Sequence, residues 1–234
     1  MKKFKSYARL NNMNAALKLK NRAEIYYPET DGKPMGETDY HIQTITYIYQ
    51  ALSAFFSSAA DVKVLADIMF YYEEGNPRKV FSPDVMVVRG VGNHPRRSYK
   101  LWEEKQFPQV IFEISSRGTW GEDLNKKWLL YQQFGVKEYY IFDPEYDYLP
   151  EPLIAYRVKR GELKQVAVKN KRIFSEELGL DVVDTGEGLR FFNPETKEFL
   201  LTLSEEQQAR RRAEDEVERL HEELQRLKNP KNNS

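Results

Sequence analysis

Three charged residues carry most of the chemistry this chain could perform. Glu113 interrupts the apolar run "VIFEIS", which alternates as a strand does. Ile111, Glu113 and Ser115 fall on one face of that strand, and Val110, Phe112 and Ile114 on the other. An acid in such a setting needs a solvated edge, a partner or a metal. Asp84 opens a second strand-like run, "SPDVMVV", directly behind Pro83. Proline there favours an edge strand or a strand start. Taken alone, Asp84 reads as ordinary turn chemistry. If the two strands are neighbours, however, the two carboxylates come together, and paired carboxylates bind a hard cation such as Mg²⁺ through oxygen.

A lysine follows on the next element. Thr119-x-x-Glu122 is a capping box that opens a helix running to about Phe134, with Gly135 as its stop. At about 100° per residue, Leu124, Trp128, Leu130, Tyr131 and Phe134 fall on one broad arc. Lys127 lies inside that arc, and Lys126 projects to the opposite side. Lys127 therefore either serves the acids or pairs with Asp123, which precedes it by four residues in the favourable acid-first order.

The rest of the chain must position these groups. It has 234 residues, enough for one medium domain with an appendage. Lysine plus arginine and aspartate plus glutamate both number 36, so there is no global attraction to polyanions. A nucleic-acid site would have to be a local patch or depend on metal ions. The lack of cysteine excludes disulfides and thiolate metal sites and fits a reducing cytosol. No apolar run reaches the roughly 18–20 residues that span a bilayer. The basic start has no continuous apolar segment, so no signal peptide is read there.

Residues 1–36 read as a leader ending in the turn-rich "YPETDGKPMG". Residues 37–203 read as the main domain. It begins with a helix capped by Thr38, with Ile45, Ile48, Leu52, Phe55 and Phe56 on one face. "DVKVLADIMFYY" and "VFSPDVMVV" flank a Gly/Asn/Pro turn and read as an antiparallel pair. "QVIFEIS" and "KEYYIFDP" supply two more strands. After Pro150 a β-rich extension begins, with a hairpin turning at Arg160-Gly161 and turns at Gly186, Gly188 and Asn193-Pro194. Residues 204–234 form a charged helix and tail. Ala213, Val217, Leu220, Leu224 and Leu227 keep a/d spacing over two to three heptads, as a solvated amphipathic helix or a docking helix would.

Pro83-Asp84, Glu113, Ser116, Thr119, Asp123, Lys127, Tyr131 and "GVKEYYIFDP", taken together, resemble the Uma family of restriction-endonuclease-like domains. That family lies in the PD-(D/E)XK nuclease superfamily, and the fuller stretch "YYEEGNPRKVFSPDVMVVRGV" looks like its cyanobacterial branch. The resemblance covers roughly residues 25 to 203. It implies an α/β fold, a restriction-endonuclease-like mixed sheet flanked by helices, with the acids on a central hairpin. It implies that Asp84 takes the PD aspartate role and Glu113 the (D/E) role. The superfamily's usual lysine would fall at Ser115, and Lys127 stands in for it. Tyr140 replaces the tryptophan of many relatives, and Ser116-Arg117-Gly118 replaces the more usual Ser-Pro-Ser. Glu37 matches the acid position of the first helix, although a helix N-terminal acid favoured by the dipole explains it as well. His41 reads as a satisfied histidine of that helix.

The function so implied is a metal-dependent endonuclease that hydrolyses DNA phosphodiester bonds. Asp84, Glu113 and the Ile114 carbonyl would hold Mg²⁺, with Mn²⁺ as a substitute, and Lys127 would act on the attacking water. Glu37 and Ser115 are accessory candidates. Arg96, Arg97 and Lys100 are candidate phosphate contacts. The partners expected are DNA and a second copy of the chain, aided by the C-terminal helix, in the cytoplasm and without a membrane. The alternative is a catalytically silent nuclease-fold module for nucleic-acid binding or protein docking, which neutral net charge and the missing Glu-x-Lys lysine favour.

Overall fold

A computed structural model of the chain describes residues 25–28, 37–116, 121 and 127–228. The expected leader falls mostly outside these residues, as do Thr119, Glu122, Asp123 and Lys126. The first helix, α1 (Asp39–Phe55), starts where expected: the Thr38 hydroxyl accepts from the His41 amide at 3.3 Å. Its apolar stripe buries Ile48 and Leu52.

A six-stranded mixed sheet is the centre of the molecule. Its strands are β1 (Val62–Ala66), β4 (Val85–Arg89), β6 (Val110–Ile114), β7 (Glu138–Phe142), β8 (Leu153–Lys159) and β9 (Glu162–Val166), and they lie side by side in that order. All pairs are antiparallel except β6 with β7. A parallel pair cannot be closed by a tight turn and requires a crossover. Here that crossover contains the helix α3 (Trp128–Gln133), which ends at Gly135 with φ +72. The β8–β9 hairpin turns at Arg160 and Gly161, both at positive φ, as a two-residue type I′ loop demands.

The segments expected to form one antiparallel pair form two. Each is bent at its middle, at Asp67 (φ 46) and at Pro83, and the Asp67 amide donates to the Asp84 carbonyl across the bend. Their first and last parts, β1 and β4, join the central sheet. Their inner parts, β2 (Phe70–Tyr71) and β3 (Val80–Phe81), form a small sheet with β5 (Tyr99–Lys100). The four-residue helix α2 (Leu101–Glu104) comes directly after β5. The bend therefore sets Asp84 at the mouth of the central sheet instead of within a strand.

Strand alternation sends the two faces of β6 into different cores. Val110, Phe112 and Ile114 pack with Ile48 and Leu52 of α1. The same core takes in Leu180, Val182 and Phe191 from a second sheet, formed by β10 (Arg172–Ser175), β11 (Leu180–Asp184), β12 (Leu189–Asn193) and β13 (Glu198–Phe199). Ile111 packs on the other side with Tyr131, Tyr139 and Phe70. A stack of Phe70, Phe81, Phe107 and Phe134 fastens α3 to the small sheet. The last helix, α4 (Leu203–Lys228), opens with a capping box: the Glu205 amide donates to the Thr202 hydroxyl at 3.2 Å, and the Thr202 amide to Glu205 at 2.7 Å. No helix among the described residues is long and apolar enough to cross a membrane.

Asp143 is the buried hinge between β7 and β8. Its carboxylate accepts from the amides of Glu145, Asp147, Tyr148 and Leu149 at 2.6–3.1 Å and so ties the whole 143–149 turn to the sheet. Each such charge-assisted bond contributes more than a neutral one. Asp143→Ala is expected to lower the unfolding free energy by about 3 kcal/mol in urea titrations, with Asp143→Asn costing less. A loss under about 1 kcal/mol for the alanine variant would show that the turn holds without it.

Candidate active site

The register of β4 on β6 pairs Val85 with Phe112. One residue further on, Asp84 stands opposite Glu113. Residues opposite one another in an antiparallel pair have Cβ atoms about 5 Å apart, so the bend at Pro83 and the end of β6 bring the two acids together. Past Phe112 the ladder continues through a side chain: the Ile114 amide donates to Asp84 Oδ2 at 2.6 Å. The amide and carbonyl of one strand residue point to the same edge. The Ile114 carbonyl therefore faces the Asp84 side, while the Ser115 amide is spent on the Phe142 carbonyl of β7.

Glu113 is fully buried, which would be prohibitive for a carboxylate with nothing to compensate it. Lys127 donates to its Oε2 at 2.7 Å, and the Tyr131 hydroxyl donates to its Oε1. The two donors are four residues apart, so they lie one above the other on the same helical face. The Tyr131 ring is itself clamped edge-on by Phe81 and Tyr139, at centroid distances of 5.5 and 5.1 Å. The crossover thus delivers a cation and a hydroxyl to an acid that its own strand could not stabilise. Burial, and then the Glu113 charge, push the Tyr131 phenol well above its ordinary value near 10. It remains a donor throughout the working range.

On its other side Asp84 faces His41. His41 Nε2 lies 3.8 Å from Asp84 Oδ1, and His41 Nδ1 lies 3.8 Å from Glu37 Oε2. Glu37, His41, Asp67 and Asp84 line a cavity of about 300 Å³. Glu37, matched to the first helix's acid position, is thus near the acids through His41. His41 is the contact that residue type alone does not disclose, since by type it reads as a satisfied helix residue. Its phase is a usable signal: His41, Ile45, Ile48 and Leu52 share one face of α1, so that histidine has to point inward. Tyr131 belongs to the motif without an assigned role, although its spacing from Lys127 carries one. Ser115, expected to stand where the superfamily's lysine falls, is buried and has no charge to offer.

The three basic residues expected to touch phosphate separate. Arg96 is spent internally: its guanidinium is bound by Glu104 and by the carbonyls of Gly92 and His94, and its side chain is 4% exposed. The Arg96 hydrogen bond in turn holds the Glu104 carboxyl below its usual range. A phosphate contact by Arg96 would require breaking this pair, so its charge belongs to the fold. Lys100 pairs with Glu103 at 3.1 Å and sits over the Tyr27 ring. Arg97 borders a second cavity, of about 460 Å³, with Lys63 and Tyr49; Asp67 lines both cavities.

Tyr131→Phe tests the coupling of hydroxyl and carboxylate. With one of its two described donors gone, buried Glu113 costs about 1–2 kcal/mol of stability near neutral pH. The pH dependence has a definite sign. The folded-state pKa of Tyr131 lies above the unfolded value, so its contribution is complete below pH 10 and is lost as pH rises above that. The variant should therefore show a shallower alkaline loss of stability, by up to about 1.4 kcal/mol per pH unit. Urea titrations from pH 7 to 11 read both effects, and parallel alkaline slopes would contradict the assignment.

No curated protein gives a match to the chain. Among solved structures, a crystal structure described as a "putative nuclease" from Anabaena variabilis is similar to it, with a TM-score of 0.47 and 13% identity over 66% of this chain and 87% of that one. The family model described as "Putative restriction endonuclease" matches residues 17–182, the whole central sheet and both acids included. The chain belongs to that family, Uma2.

Proposed function

We propose that the protein is a divalent-metal-dependent endonuclease acting on DNA, with Asp84, Glu113 and Lys127 as its working residues. The observation that carries this reading is the convergence of Lys127 on Glu113 across from Asp84, since no packing requirement explains a buried acid on β6. Among the described residues no group of three or more histidine and acidic side chains is arranged to hold a metal. The donor chemistry nevertheless fits Mg²⁺, or Mn²⁺ in its place: Asp84, Glu113 and the Ile114 carbonyl offer hard oxygens only. When bound there, the ion supplies charge neutralisation at the scissile phosphate and a water of lowered pKa.

The chain's own residues would do the rest. Lys127 Nζ, partly exposed at 24% of its side chain, is placed to orient a water beside Glu113 and to stabilise negative charge developing on phosphate oxygen. Tyr131 holds Glu113 in one rotamer, and the Ile114 amide does the same for Asp84. Glu37 and Ser115 remain accessory, the first through His41. Arg97 and Lys100 are the remaining phosphate-contact candidates, and the cysteine-free composition suits a reducing, cytoplasmic setting.

One observation favours a second reading. Glu113 has no exposed surface, and both its oxygens already accept hydrogen bonds, as a purely structural ion pair would. A catalytically silent nuclease-fold module would look the same. Supercoiled, linear and single-stranded DNA incubated with Mg²⁺ or Mn²⁺ separates the two. Cleavage is expected, with Asp84→Asn, Glu113→Gln and Lys127→Met each slower by at least about 100-fold and folded by circular dichroism. Equal cleavage by all variants would refute the residue assignment. No cleavage together with no Mn²⁺ uptake in calorimetry would establish the module.

A further inference from the structure

The helix α4 has 26 residues and buries none of them. An unpacked helix is marginal in water, because helices in proteins draw most of their stability from tertiary contacts. This one still carries an apolar stripe: Val217, Leu220, Leu224 and Leu227 are all exposed, at spacings of three and four. With Val217 at a, the heptad sets Ala213, Leu220 and Leu227 at d and Leu224 at a. A β-branched residue at a with leucine at d suits a two-stranded parallel coil.

The flanking charges choose the partner and its direction. The g positions are Glu216 and Glu223, and the e positions include His221 and Lys228. In a parallel pair each g residue meets the e residue five places further along the other helix. Glu223 then faces Lys228, and Glu216, which already pairs with Arg219 on its own helix, faces His221. In an antiparallel pair g residues face g residues, which sets Glu223 against Glu216 or against its own copy. Among the described residues, Glu223 and Lys228 have no ion-pair partner, whereas Arg210, Arg219 and Arg226 are already paired along the helix.

We infer that α4 binds a second copy of this chain as a parallel two-stranded coiled coil through the Ala213–Leu227 stripe. The helix start is fixed to the domain: Arg190 donates to Glu205 at 2.8 Å and to the Leu200 carbonyl at 3.0 Å. Parallel pairing therefore brings both domains to the same end of the coil.

Sedimentation equilibrium on the full chain tests association, and single cysteines test direction, since the chain has none of its own. The wild type should dimerise, and Leu220→Glu with Leu224→Glu should leave a folded monomer. Leu227→Cys should cross-link on mild oxidation, because parallel d positions approach within the roughly 4.4–6.8 Å between Cα atoms that a disulfide spans. Asp215→Cys, on the outer face, should not. Glu223→Lys should weaken the dimer, and adding Lys228→Glu should restore it. A wild type that stays monomeric at every concentration overturns the inference. So does a dimer indifferent to the leucine substitutions, or one that Leu227→Cys fails to link.

Discussion

Glu113 is the constraint around which the rest is arranged. A carboxylate near the end of a five-residue strand with no exposed surface cannot stand without compensation, and the compensation comes from a different element. That requirement explains the crossover, because only a helix laid over this face brings Lys127 and Tyr131 to it. It explains the aromatic packing beneath α3, because the phenol must be held still to serve as a donor. It also explains why β6 lies inside the sheet, with a parallel neighbour on one side and an antiparallel one on the other. Asp84 is held on more lenient terms, since it needs only the strand end and stays partly in contact with solvent.

The same groups therefore answer to two demands. Stability asks that Glu113 be neutralised; the proposed chemistry asks that its lone pairs remain usable. Lys127 reconciles them by standing at the boundary: its ammonium is against a buried oxygen while part of its side chain reaches water. A lysine suits that position better than an arginine, because a compact point charge on a flexible stem can shift without losing its partner.

The alternation of "VIFEIS" is legible in the sequence, because it depends on a local period that the fold preserves. The hairpin at Arg160-Gly161, the Thr38 cap and the Gly135 stop are legible for the same reason. The bends at Asp67 and Pro83 are not: they divide two continuous β patterns between two sheets, and the cause is tertiary. The internal use of Arg96 is equally hidden, since only the folded chain reveals that Glu104 is waiting for it. For His41, its place on the apolar face of α1 is the guide to its inward direction. The Thr202-x-x-Glu205 box is a plain local signal that starts the last helix at its observed point.

The parallel pairing of β6 with β7 has a consequence for the site. A hairpin loop is short and dictates the register of the strands it joins, so little can be exchanged within it. A crossover dictates no register: the sheet holds β6 and β7 in place by their own hydrogen bonds, whatever runs between them. The demand on the connection falls instead on α3, which has to bring Lys127 and Tyr131 back over Glu113. The fold thus separates two tasks: the sheet decides how the strands pair, and the helix decides where the donors to Glu113 stand.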